Sequence, residues 1–282
     1  MRLAISNIAW PTGADAEALP LLKEHGVAGV ELALTKIWPE PLAATAEELD
    51  KYRAWLESRG LSIVALQALL FGKPDLLLFG SPSAREAMHD YLVEIIRRAA
   101  RLGAGALVFG SPGNRKHGNL DSAAAFAVAI PFFRRLGEVA AQHGVAVCIE
   151  PNPPAYGCDW ITTVREAIEL VDAVSSAGFG LHLDSAGMHL AGDGAAAVLA
   201  AGSRVRHFHA SAPFLEGVSS GDVPHGEYAA ALADQGHRGW VSIEMAEPKL
   251  RPTWQEGVRT ALGFVRQTYS RGRQQDHTSP ER

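Results

Sequence analysis

Residues 179–188 read FGLHLDSAGM, an apolar run that stops at Asp184 and passes directly into small residues. The same pattern recurs along the chain. Seven further β-rich runs stand at LAISNI (3–8), GVELAL (29–34), SIVALQ (62–67), ALVFG (106–110), AVCIE (146–150), VRHFHA (205–210) and WVSIEM (240–245). Helix-forming stretches follow them, among them EALPLLKEHG, AEELDKYRAWLESRG, AREAMHDYLVEIIRRAARLG, residues 122–143 and VREAIELVDAVSSAG, with later ones over 195–201, 226–235 and 254–269. Four of the stretches close on Gly26, Gly60, Gly103 and Gly144 just before the next strand, as chains do when they leave a helix through a left-handed turn.

Alternating strands and helices imply parallel pairing. Eight such units with no Pro-, Gly- or Ser-rich linker fit one closed α/β barrel, the (β/α)8 TIM barrel, which takes about 250 residues. Residues 1–269 are assigned to it, and the polar stretch 270–282 is expected to be a disordered tail. An open doubly wound sheet would carry a phosphate-cradling Gly fingerprint after the first strand, and IAWPTGAD does not match GxGxxG.

Composition narrows the function classes. With 47% hydrophobic and 20% charged residues among 282, the chain can bury a large core. Its net charge of -5 and lack of a basic stripe argue against a nucleic-acid partner. No run approaches the roughly 18 apolar residues of a membrane span, and MRLAISNIAWPTG has no secretion-signal pattern, so no membrane partner is expected. Two cysteines, Cys148 and Cys158, make no disulfide framework, and a cytoplasmic setting is the simplest expectation. Cys158 lacks a His or acid at a fixed spacing and reads as passive. The amphipathic stretch AREAMHDYLVEIIRRAARLG is compatible with a homo-oligomer and equally with packing on the barrel.

In such a barrel the active site lies at the carboxyl ends of the strands. Four consecutive strands end on metal-ligand types: Glu150 in CIEPNP, Asp184 in HLDSAGM, His209 in HFHAS and Glu244 in SIEMA, spaced 34, 25 and 35 residues apart. Residues two earlier, Cys148, His182, His207 and Ser242, share the same face one layer deeper. Of these, His182 and His207 read as hydrogen-bonded core residues. Any one acidic strand end is ordinarily a cap or a solvated residue; four in succession point to a shared site. Three converging carboxylates repel one another unless a cation lies between them. The oxygen-rich set suits one divalent ion, Mn2+, Mg2+ or Co2+, with Zn2+ also compatible, and leaves positions for water or a substrate.

On these residues the chain resembles the xylose isomerase-like TIM-barrel superfamily of sugar isomerases and epimerases, from SNIAW to WVSIEM. In its ketose 3-epimerase branch the corresponding four residues hold one ion, usually Mn2+, so the resemblance implies metal binding by Glu150, Asp184, His209 and Glu244. It also implies that Glu150 and Glu244 act as the catalytic acid and base. The chain departs from that branch around the substrate. It has Gly187 where the branch has His, with His189 two positions on, Tyr156 in place of a second Glu, and Leu215 in place of an Arg. The endonuclease IV branch needs further His ligands, but strand three ends on Gln67 and strand four on Phe109 and Gly110.

The resulting expectation is a metal-dependent isomerase or epimerase of a sugar or sugar phosphate, working by proton transfer through a metal-stabilised enediolate. A dehydratase or lyase of a polyol-derived keto compound is the alternative on the same scaffold, and a barrel that binds without turnover is disfavoured. Asn7, Gln67, Arg115, Asn152, Tyr156, Trp160 and His225 are the candidate substrate contacts, with Trp10, Glu31 and Asp159 nearby. Arg115, Lys116 and His117 suit an anionic substrate group or a solvated loop. His225 either covers the site or opens the following helix.

Overall fold

The computed structural model describes residues 1–269. Eight parallel strands close into a barrel in chain order: β1 (Arg2–Ser6), β2 (Gly29–Ala33), β3 (Ser62–Gln67), β4 (Ala106–Phe109), β5 (Ala146–Ile149), β6 (Phe179–Asp184), β7 (Val205–Ser211) and β8 (Trp240–Glu244). The helices of the outer layer are α1 (Asp15–Glu24), α2 (Ala46–Glu57), α3 (Pro82–Leu102), α4 (Ser122–Gln142), α5 (Val164–Val174), α6 (Ser185–Ala191), α7 (Ala195–Ala201), α8 (His225–Asp234) and α9 (Trp254–Tyr269). The closed parallel barrel expected from the sequence is therefore present, and the tail expected over 270–282 lies outside the described residues.

Local chemistry sets the helix ends. Thr45 and Thr163 open α2 and α5 through reciprocal capping boxes with Glu48 and Glu166. Gly103 ends α3 at φ 84°, a conformation that a Cβ disfavours. One helix escaped the sequence reading. The Asp184 carboxylate accepts from the Gly187 amide and caps α6, so the chain coils immediately after β6 rather than forming a loop.

Between barrel and helices lies a continuous apolar shell. Its densest aromatic part joins α4 to β4 and β6: Phe133 lies 5.2 Å from Phe109, 5.2 Å from Phe132 and 4.8 Å from Phe179. Trp160 belongs to this cluster, edge-on to Phe79 at 4.9 Å and stacked on Phe133 at 6.5 Å.

The amino-terminal end of the barrel interior is lined by small residues, among them Ala4, Ala65, Ala106 and Ala146. Two register shifts interrupt the sheet. Between β2 and β3 the extra residue is Val64; between β6 and β7 it is Arg206. Each faces a glycine on the neighbouring strand. A Cβ at Gly29 would sit 2.7 Å from Val64 Cγ1, and one at Gly180 would sit 2.5 Å from Arg206 Cγ.

Phe133 is fully buried at the centre of the aromatic cluster. Phe133→Ala is expected to cost about 3–5 kcal/mol, read as a lower urea midpoint with an unchanged slope.

Candidate active site

The ends of β5 to β8 bring Glu150, Asp184, His209 and Glu244 to one mouth of the barrel. Glu150, Asp184 and His209 each offer a ligand atom within 4.8 Å of the others. His209 Nδ1 lies 3.3 Å from Glu244 Oε2 and 3.9 Å from Asp184 Oδ2. Glu150 comes from the first residue past β5 and Glu244 from the last of β8, so these two flank the Asp184 and His209 pair.

Each ligand-type group is fixed from behind. Asp184 Oδ1 accepts from the Gly187 amide at 2.6 Å, and its Oδ2 accepts from the Ser211 hydroxyl. Ser211 is itself held by Ser185, whose Oγ accepts from the Ser211 amide at 2.9 Å. Gln67 Nε2 donates to Glu244 Oε1 at 2.6 Å. The Glu150 carboxylate lies over Gly110, where any Cβ would collide with Oε2. Under the mouth, Glu31 is fully buried and accepts from His207 Nε2 at 3.0 Å and from His209 Nε2 at 2.9 Å.

That last arrangement decides which nitrogen of His209 faces the carboxylates. A carboxylate only accepts, so both Nε2 atoms must carry protons. His209 Nδ1 then points into the mouth, and it is a buried atom without a hydrogen-bond partner. Burial pushes the Glu31 carboxyl up, but the charges of His209 and His207 outweigh it and hold Glu31 well below the usual range. Burial likewise disfavours the His209 imidazolium, yet Glu31 and Glu244 prevail and hold it well above its ordinary value. His182, with both ring nitrogens lacking partners, is held well below its ordinary value by burial and by its neighbours His209 and His207, so it stays neutral.

The carboxylates show the opposite strain. Burial, then the charges of Asp184 and Glu244, push Glu150 up to about 8. Burial, then Glu244, push Asp184 up to about 6. Two acids that hold their protons above the usual range, gathered with Glu244 around one imidazole nitrogen, form a site that positive charge would complete. Three oxygen donors and one nitrogen fit a hard divalent ion, and the support of His209 by Glu31 follows the carboxylate–histidine–metal pattern that orients such ligands.

A cavity of about 500 Å³ opens beside these groups, lined by Glu150, Asp184, Glu244, Asn152, Tyr156 and Lys249, with Phe214 and Leu215 on its outer wall. Among the substrate contacts expected from the sequence, Asn152 and Tyr156 line it and Gln67 reaches it through Glu244. Four expectations need correction. Arg115 is fully buried, and its guanidinium donates to the carbonyls of Gly110, Trp160 and Glu150 at 2.6, 2.7 and 2.6 Å, so it clamps the ends of β4 and β5 and has no fork left for an anion. Asn7 is spent on the Ala33 amide and carbonyl, pinning β1 to β2. Trp160 packs in the aromatic cluster. His225 opens α8, donates from Nε2 to the Val218 carbonyl at 3.1 Å and accepts from the Tyr269 hydroxyl at 2.8 Å, away from the mouth.

Lys249, Phe214, Ser211 and the role of Glu31 were not found from the sequence. Glu31 left a signal: it is an ionisable residue in the otherwise apolar strand GVELA, and such a residue is almost never fully buried without a partner.

Comparison with known proteins gives concordant results. Residues 19–268 match the family described as xylose isomerase-like TIM barrel. An L-ribulose 3-epimerase of Methylomonas sp. (strain DH-1) is 26% identical over 92% of this chain and 93% of its own. The fold is shared with the D-psicose 3-epimerase of Clostridium cellulolyticum H10 solved with D-tagatose, at TM-score 0.79 and 18% identity over 95% of this chain and 99% of that one. It is shared too with the IolI protein solved with a zinc atom, at TM-score 0.78 and 19% identity over 97% and 100% of the two chains.

Two measurements test the electrostatics. Glu150 and Asp184 bind protons more tightly folded than unfolded, so their contribution to stability is complete below about pH 4 and is lost as pH rises through about 6 and about 8. Chelated protein should therefore melt progressively lower between pH 5 and pH 8, and added Mn2+ should raise the melting temperature more at pH 8 than at pH 5. Glu31→Gln should weaken Mn2+ binding by about 10- to 100-fold, measured by calorimetry.

Proposed function

Since the chain belongs to the xylose isomerase-like TIM barrel family, we propose that it is a divalent-metal-dependent isomerase or epimerase of a small sugar or sugar phosphate. The observation that carries this reading is the convergence of Glu150 and Glu244 on either flank of Asp184 and the bare Nδ1 of His209. The relatives named L-ribulose 3-epimerase and D-psicose 3-epimerase support it, and the zinc in the IolI protein supports the metal. The lyase alternative draws no support from these relatives.

Glu150, Asp184, His209 and Glu244 would hold the ion, with Mn2+ the first expectation and Mg2+, Co2+ or Zn2+ compatible. Bound there, a divalent ion supplies Lewis-acid polarisation of a carbonyl and its neighbouring hydroxyl. The chain's own groups do the proton work. Glu244 accepts a short hydrogen bond from the Gln67 amide that fixes its orientation, and it takes the role of base toward the carbon next to the carbonyl. Glu150, which burial and the charges of Asp184 and Glu244 push up to about 8, is suited to return one. Return to the opposite face of the same carbon gives epimerisation, and return to the adjacent carbon gives isomerisation.

Substrate orientation falls to Asn152, Tyr156 and Lys249. Tyr156 accepts the Phe214 amide at 3.3 Å, which ties the loop after β7 to the one after β5 and closes one side of the cavity. The cavity has room for a pentose or hexose.

The test is solvent exchange. With Mn2+ present in D2O, ketopentoses, ketohexoses and their phosphates are screened by NMR for deuterium entering next to the carbonyl. Glu150→Gln and Glu244→Gln should each lower exchange by about 100-fold or more while still binding Mn2+, whereas Asp184→Asn and His209→Ala should lose the ion. Full exchange in either glutamine variant would refute the assignment.

A further inference from the structure

The amino-terminal end of the barrel holds a second cavity, of about 590 Å³, that the proposed chemistry does not use. Its lining includes Arg2, Ser62, Gly105, Arg206, His207 and Trp240, and no acidic side chain borders it. Several surface arginines elsewhere pair with carboxylates, among them Arg101 with Asp50, Arg135 with Glu86 and Arg204 with Asp172. Among the described residues, Arg2 and Arg206 have no carboxylate partner.

Backbone geometry aims both cations at this cavity. Arg206 is the extra residue of the β7 irregularity, and such bulges re-aim a side chain. Its stem folds over Gly180 into the barrel end, where a Cβ would lie 2.5 Å from Cγ and 3.3 Å from Nε. Arg2 lies 4.2 Å over the Trp240 ring. That ring crosses Gly29, where a Cβ would meet Trp240 Cζ3 at 2.8 Å. Strands β1 and β7 flank β8, so roughly two strand spacings, about 10 Å, separate the two backbones. Two arginine side chains span that distance onto one small ligand.

We propose that this cavity binds a small phosphate monoester, with Arg2 and Arg206 as its two guanidinium forks. A phosphate monoester carries close to two negative charges at neutral pH and enough oxygens for both forks. The volume lies in the range of small-molecule sites. A net charge of -5 disfavours a polyanion such as nucleic acid. His207, on the cavity wall, donates to Glu31, which holds His209, so the bound phosphate lies next to the support of the candidate metal centre.

Inorganic phosphate is the probe, titrated into chelated full-length protein and followed by thermal melting against sodium chloride of equal ionic strength. A saturable rise in melting temperature specific to phosphate is expected. Arg206→Gln should shift the half-saturating concentration at least about tenfold, and Lys249→Ala, at the opposite mouth, should leave it unchanged. Because Arg206 packs over Gly180, Arg2→Gln at the exposed start of β1 gives the same readout should Arg206→Gln not fold. A rise matched by chloride overturns the proposal. So does a shift caused by Lys249→Ala but not by the arginine variants.

Discussion

Crowding of three carboxylates at one mouth is the constraint around which this molecule is arranged. Glu150, Asp184 and Glu244 crowd one imidazole at the barrel mouth, and in the absence of other positive charge the lowest-cost remedy is to keep protons. Burial, reinforced by this crowding, makes Glu150 and Asp184 titrate late, and the charges of Glu31 and Glu244 outweigh burial to hold the His209 proton well above the ordinary range. The protonated imidazole supplies positive charge among the carboxylates.

Holding such a group together demands rigidity in the layer behind it. Glu31 fixes the tautomer of His209, Ser185 and Ser211 fix Asp184, and Gln67 fixes Glu244. Arg115 acts on the backbone instead, joining the carbonyl of Glu150 to that of Gly110 at the end of β4. Removing this buried guanidinium would take one donor from the Glu150 and Trp160 carbonyls, which keep Asn152 and Cys158, and would strand the Gly110 carbonyl at about 1–3 kcal/mol. The site's precision comes from these interactions across strands, more than from the ligands themselves.

How much of this the sequence disclosed follows from the distance over which each signal acts. The strand-end acids were legible because a parallel barrel puts every strand's carboxyl end at one mouth, so spacing alone aligns Glu150, Asp184, His209 and Glu244. The supports were not. Glu31 finds His207 and His209 176 and 178 residues away, and Gln67 finds Glu244 across 177, pairings that no local pattern encodes. Arg115 and Trp160 misled for a related reason. Both occur in loops rich in Gly and polar residues, which reads as solvent-facing, while closure of the barrel folds them inward against carbonyls and aromatic rings. The helix α6 was hidden because Asp184 is at once a ligand type and a helix cap.

The walls of the carboxyl-terminal mouth differ in kind from its floor. The floor residues are locked into the sheet, whereas Tyr156, Phe214, Leu215 and Lys249 stand on short turns after β5, β7 and β8 and contribute little to the apolar shell. Exchanging those four side chains would leave the acid platform and the barrel intact. Selection, natural or in the laboratory, can therefore move such a protein from one sugar to another through its rim, with the chemistry inherited unaltered.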